Sequence, residues 1–116
     1  MLKEAVNSLP QEYACYIIHH WLVPEWSGVM VFHKDATKGN GMHFIQETLG
    51  ISVEETIAVG DGGTDISMYD FAGLRVAMGN AEEILKDNAH FIAPHVDEDG
   101  LVQVIEKFIL SASDKK

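Results

Sequence analysis

Two carboxylates four residues apart punctuate a glycine-rich turn in Ile57-Ala58-Val59-Gly60-Asp61-Gly62-Gly63-Thr64-Asp65. An apolar run leads into the turn, which places Asp61 at a strand end and Asp65 at the start of the next helix. Ligands of open parallel sheets bind beyond the carboxyl ends of the strands. Glycines let the backbone bend tightly and leave room for an ion or a phosphate. Carboxylate oxygens suit a hard cation, and Mg²⁺ takes one or two carboxylates with water and substrate oxygens. Asp65 as a simple helix cap is the structural alternative. It does not account for an acidic residue flanked by glycines. The phosphate-loop pattern G-x-x-x-x-G-K-[ST] is absent, and two carboxylates would repel a phosphate without an intervening cation.

Other reactive side chains are less organised. Cys15 and His19 would share a face on a helix, with His20 beside them, but three candidate ligands make a thin metal site and packing is the competing account. His33, His43, His90 and His95 are scattered, and no motif pairs a histidine with Cys15 as a nucleophile. Asn80 follows Gly79 at a strand end, where it either touches the site or caps a helix. Lys38 is followed by glycine and a helix; the nearby Lys34 is not. Asp97-Glu98-Asp99-Gly100 has D-x-D-G spacing, yet Pro94 interrupts the lead-in, and both aspartates suit capping of the last helix. Tyr13, Tyr16, Trp21 and Trp26 read as packing aromatics.

The elements that must position these groups follow from pattern. Leu2–Leu9 is a short helix interrupted at Pro10. Tyr13–Leu22 is a strand or a buried helix, which periodicity does not separate. Val29–Phe32 is a strand. Thr37 caps a helix over Lys38–Leu49, ended by Gly50. Thr56–Val59, Arg75–Met78 and His90–Ala93 read as strands. Asp65 to about Ala72, Ala81–Asp87 and Asp99–Leu110 read as helices. The last carries Leu101, Val104, Ile105, Phe108 and Ile109 on one face, and the tail from Ser111 frays. Strands alternating with helices imply βα units and a mostly parallel sheet, a three-layer α/β/α arrangement.

Bulk properties narrow the partners. The chain has 116 residues, fitting one domain, and a formal charge of −10. That charge disfavours nucleic acid and anionic membrane surfaces. No run approaches the ~18 apolar residues of a spanning helix. The N-terminal residues lack an apolar signal region, and Cys15 is the lone cysteine, so a cytoplasmic, reducing location is expected.

Four pieces, taken in order, resemble the C-terminal core of the haloacid dehalogenase (HAD) superfamily in its Cof-like, subclass IIB sugar-phosphatase branch. Lys38-Gly39 resembles the third motif. Gly60-Asp61-Gly62-Gly63-Thr64-Asp65 resembles the fourth. Val76-Ala77-Met78-Gly79-Asn80-Ala81 and Asp97-Glu98-Asp99-Gly100 resemble two later signatures. The likeness covers Val29 to Leu110. It implies a partial HAD-like Rossmannoid fold and a Mg²⁺-dependent phosphohydrolase of sugar phosphates or other small phosphorylated metabolites. It also implies that Asp61 is a metal ligand and that Asp65 is a metal and catalytic residue holding a metal-bound water or orienting the site. Lys38 becomes the catalytic cation and Asn80 a possible substrate contact. Thr64 stands where many Cof-like members carry Asn.

The family's first motif, D-x-D-x-[TV], supplies the nucleophilic aspartate, and no such segment precedes Lys38. The chain therefore reads as half an enzyme, with residues 1–33 a remnant of the cap and its exit strand and 34–116 the core. The alternative is an inactive HAD-like remnant that serves as a binding module. An α/β sheet without its central strand exposes an edge and apolar surface, so a homodimer, or pairing with an N-terminal half, is expected.

Overall fold

The computed structural model describes residues 2–19 and 22–111, which form two compact units, Met1–Thr37 and Lys38–Lys116. His20, Trp21 and the tail after Ser111 lie outside the described residues.

In the first unit, helix α1 (Leu2–Asn7) precedes an antiparallel hairpin of β1 (Tyr13–His19) and β2 (Ser27–His33). Over Tyr13–His19 the ambiguous apolar segment is thus a strand, as its β-branched and aromatic residues favour. Tyr16 stacks on Phe32 with ring centroids 5.5 Å apart, whereas Tyr13 and Trp26 are exposed. The strand undoes the Cys15–His19 site. Residues four apart on a strand lie about 13 Å from each other, and His19 Nδ1 meets Ser27 Oγ at 3.2 Å instead. Lys34 belongs to this unit, its amide donating to Glu12 O at 2.8 Å.

The second unit is a parallel α/β arrangement. Helix α2 (Lys38–Leu49) leads to β3 (Ile57–Gly60), followed by a 3₁₀ helix (Gly63–Phe71), β4 (Leu74–Ala77), α3 (Glu83–Asn88) and β5 (Phe91–Ile92). Helix α4 (Gly100–Ile105) then widens into a π-helical turn over Glu106–Leu110. The sheet order is β3-β4-β5, all parallel, with Val59 opposite Val76 and Val76 opposite Phe91. Val76 of β4, Leu85 of α3 and Val104 of α4 are fully buried in the core of this unit. Tyr69 is buried in the same core, its hydroxyl donating to Val76 O at 2.8 Å.

Three sequence expectations change here. The segment opened by Asp65 is a nine-residue 3₁₀ helix beginning at Gly63, so Asp65 is its third residue rather than its cap. Asp99 precedes α4 in the left-handed conformation, φ 57°, and its side chain makes no capping bond. The cap in that turn is His95, whose Nδ1 accepts the Asp97 amide at 3.1 Å. Finally, of the apolar face expected over Asp99–Leu110, Val104 and Phe108 meet the core, while Leu101, Ile105 and Ile109 remain exposed. Three strands cover only part of so wide a face.

Among the described residues no helix is long and apolar enough to cross a membrane.

Candidate active site

β3 delivers its chain to the carboxyl edge of the sheet at Gly60, and the turn folds back so that Asp65 comes beneath it. A Cβ on Gly60 would stand 2.6 Å from Asp65 Cβ, so this approach requires glycine. Asp65 is 6% exposed. Its Oδ2 accepts the amides of Asp61 at 3.0 Å and Gly62 at 3.1 Å. Its Oδ1 accepts the Lys38 ammonium at 2.5 Å. Both oxygens are therefore committed. Burial pushes this carboxyl upward, but the Lys38 hydrogen bond and the two backbone donors outweigh it and hold the group below its ordinary value of 3.8.

Lys38 comes from the first turn of α2. The helix packs through Gly39, Met42 and Gln46, a period suited to one face. Buried Gln46 donates through Nε2 to Thr56 Oγ1 and to Phe71 O, both at 2.7 Å. It thereby joins α2 to the residue before β3 and to the end of the 3₁₀ helix. In the sequence, only its place on the same helical face as Gly39 and Met42 marks Gln46. Lys38 pairs with the site carboxylate, while Lys34 lies in the other unit.

Asp61 is exposed, and its carboxylate has no partner among the described residues. It lines an open cleft of about 250 Å³ with Val59, Gly60, Asp65, Met78, Val96 and Leu101. The cleft is apolar except at the two aspartates. A larger groove of about 710 Å³ between Phe91–Pro94 and Glu98–Lys107 has none of the candidate residues in its walls. Its size therefore does not identify it as the reactive centre.

Asn80 sits after β4, but its side chain does not cap a helix, since α3 begins only at Glu83. Its Oδ1 accepts the Val96 amide at 3.1 Å and so ties the loop after β4 to the loop after β5. Val96 forms part of the cleft wall.

A hard cation is chemically compatible with this edge, because Asp61 offers free carboxylate oxygens where Asp65 and Lys38 balance each other's charge. The donor set is partial: among the described residues no group of three or more His, Cys, Asp or Glu side chains converges as a metal site. The His90 imidazole, far from forming a cluster, faces Arg75, with Nδ1 accepting the Arg75 amide at 3.1 Å.

The chain is similar in sequence and fold to several known proteins. A Bacillus subtilis 5-amino-6-(5-phospho-D-ribitylamino)uracil phosphatase is 42% identical over 66 residues, 57% of this chain and 26% of that protein. An Archaeoglobus fulgidus phosphoglycolate phosphatase is 37% identical over 76 residues, 66% of this chain and 34% of that protein. The solved structure of a HAD subclass IIB sugar phosphatase superposes with a TM-score of 0.73 at 38% identity. That superposition covers 92% of this chain and 38% of the phosphatase. The chain thus spans between about a quarter and two-fifths of the length of these proteins. A family profile of haloacid dehalogenase-like hydrolases matches residues 2–105. By the extent of that match and the shared parallel α/β fold, the chain belongs to the haloacid dehalogenase-like hydrolases.

Proposed function

We propose that this chain forms part of the catalytic core of a Mg²⁺-dependent phosphohydrolase acting on small phosphate esters, sugar phosphates foremost. The observation that carries the reading is the meeting of Lys38, Asp61 and Asp65 at the carboxyl end of β3. Phosphoryl transfer depends on positioning and on neutralising charge around the phosphoryl oxygens. Lys38, half exposed and anchored on Asp65, presents a fixed positive charge toward that edge. Asp61 would hold the metal, which when bound supplies charge neutralisation at the phosphoryl oxygens. Asp65 serves as the organiser of both: it holds the ammonium and shapes the Gly60–Gly62 turn. The nucleophilic aspartate implied by the family resemblance would come from outside the segments matched above, from an N-terminal half or a partner chain. The relatives are named for different phosphate esters although one short region is shared, which supports substrate choice lying elsewhere.

A graft tests the assignment. Residues 38–111 replace the corresponding segment of the Bacillus subtilis relative, and phosphate release is followed with Mg²⁺. Retained turnover that falls at least about a hundredfold in Lys38→Ala and Asp61→Asn supports the reading, the size typical of losing one charge-stabilising group. A folded graft without turnover favours the inactive binding module. The chain by itself should not hydrolyse an aryl phosphate, since it offers no assigned nucleophile.

A further inference from the structure

The amides in the first turn of a helix have no partner within the helix. In α2 the Gly39 amide is one of these, and it is satisfied from a different element: Ser67 Oγ accepts it at 2.9 Å. Ser67 lies two residues after Asp65 on the 3₁₀ helix, and Gly39 directly follows Lys38. Two bonds, Lys38 to Asp65 and Gly39 to Ser67, therefore join the same two turns. The contact is close enough that a Cβ at position 39 would collide with the Ser67 backbone carbonyl. A lysine head on a flexible four-carbon stem is poorly fixed by one ion pair, and 56% of the Lys38 side chain is exposed. Where the helix start sits decides where the ammonium stays.

We propose that Ser67 is a positioning residue for Lys38: by accepting the Gly39 amide it fixes the first turn of α2 where the ammonium meets Asp65. The functional weight of this placement rests on the phosphohydrolase reading of Lys38; the placement does not. A small misplacement of a charge-neutralising group is costly to catalysis, and Gly39 with Ser67 removes the freedom that would allow it.

Heteronuclear NMR of the full chain without substrate tests the proposal apart from any phosphatase activity. The unsubstituted chain should show a protected Lys38 ammonium signal. Ser67→Ala should lose it and speed Gly39 amide exchange about tenfold, the loss of one hydrogen bond. Ser67→Thr, which keeps the hydroxyl, should restore both. A folded Ser67→Ala chain with an unchanged Lys38 signal overturns the proposal, as does loss of that signal in a folded Ser67→Thr chain. If Ser67→Ala does not fold, Ser67→Cys, similar in volume but a weak acceptor, is judged by the same two readouts. Failure of the graft to hydrolyse phosphate would leave these results untouched and would count against the phosphohydrolase reading alone.

Discussion

At the residue scale, Asp65 carries the largest share of the site's order. Its two oxygens satisfy two backbone donors and one ammonium, so substitution by Asn places an NH₂ group against a donor. Asp65→Asn should cost ~1–3 kcal/mol, the usual consequence of stranding part-buried polar groups, as measured by urea unfolding at neutral pH. The pH dependence has a definite sign. The folded carboxyl binds its proton less readily than the unfolded one. Its contribution is present above the ordinary value of 3.8 and is lost as pH falls through the lower folded value. Unfolding curves collected from pH 7 downward should show this loss below about pH 4 in the unsubstituted chain, and a shallower dependence in Asp65→Asn. Asp61 behaves differently, being exposed and unpaired among the described residues. With so few protein oxygens, Mg²⁺ binding by the chain alone should be weak, roughly millimolar or poorer. A chemical-shift titration should move the Gly60–Gly62 amides, and Asp61→Ala should abolish the response. Tight binding that survives Asp61→Ala would contradict the assigned ligand.

At the element scale, loops and helix starts are held by side chains from other segments. Gln46 bonds both Thr56 and Phe71 from a nearly closed environment. Gln46→Ala removes two hydrogen bonds and leaves the Phe71 carbonyl with one partner fewer, a loss of ~1–3 kcal/mol. The thermal midpoint should fall accordingly, and the α2 amides should exchange faster than those of α3. Asn80 is a milder case on an exposed edge. Asn80→Ala should release the Val96 amide and accelerate its exchange, with little change in global stability, because water can take the vacated bond. Direct contact of Asn80 with substrate would instead be read from a loss of turnover in the graft with Val96 exchange unchanged.

At the scale of the whole molecule, β3 and β5 are the edges of the parallel sheet among the described residues. Parallel sheets are ordinarily covered on both faces and shielded at their edges. α4 and the π-helical turn after it present Leu101, Ile105 and Ile109 to solvent. Burying such surface is worth ~25 cal/mol per Å². The chain alone is therefore expected to associate with a second copy near the β3 edge. Sedimentation over a dilution series should show a dimer that dissociates; a stable monomer at every concentration would count against this and favour an edge covered by residues of the chain itself.

The sequence alone determined the alternation of strands and helices and the Gly60–Asp65 turn, and it singled out Lys38, whose ammonium meets Asp65. Each depends on local information: apolar runs, glycines at a strand end, and a lysine directly before a glycine-led helix. The Tyr13–His19 strand was not separable from a helix, because a short apolar run has no decisive period and its hairpin partner settles the matter. Only the tertiary structure decided that Asp65 spends both oxygens on Lys38 and the turn, leaving Asp61 as the free carboxylate. It also decided that Asn80 bonds a loop sixteen residues away, that His95 rather than an aspartate caps the acidic turn, and that Ser67 and Gln46 anchor α2. These partners come from segments distant in the chain. A side chain's residue type states what it is able to bond, and packing selects which of those bonds is made.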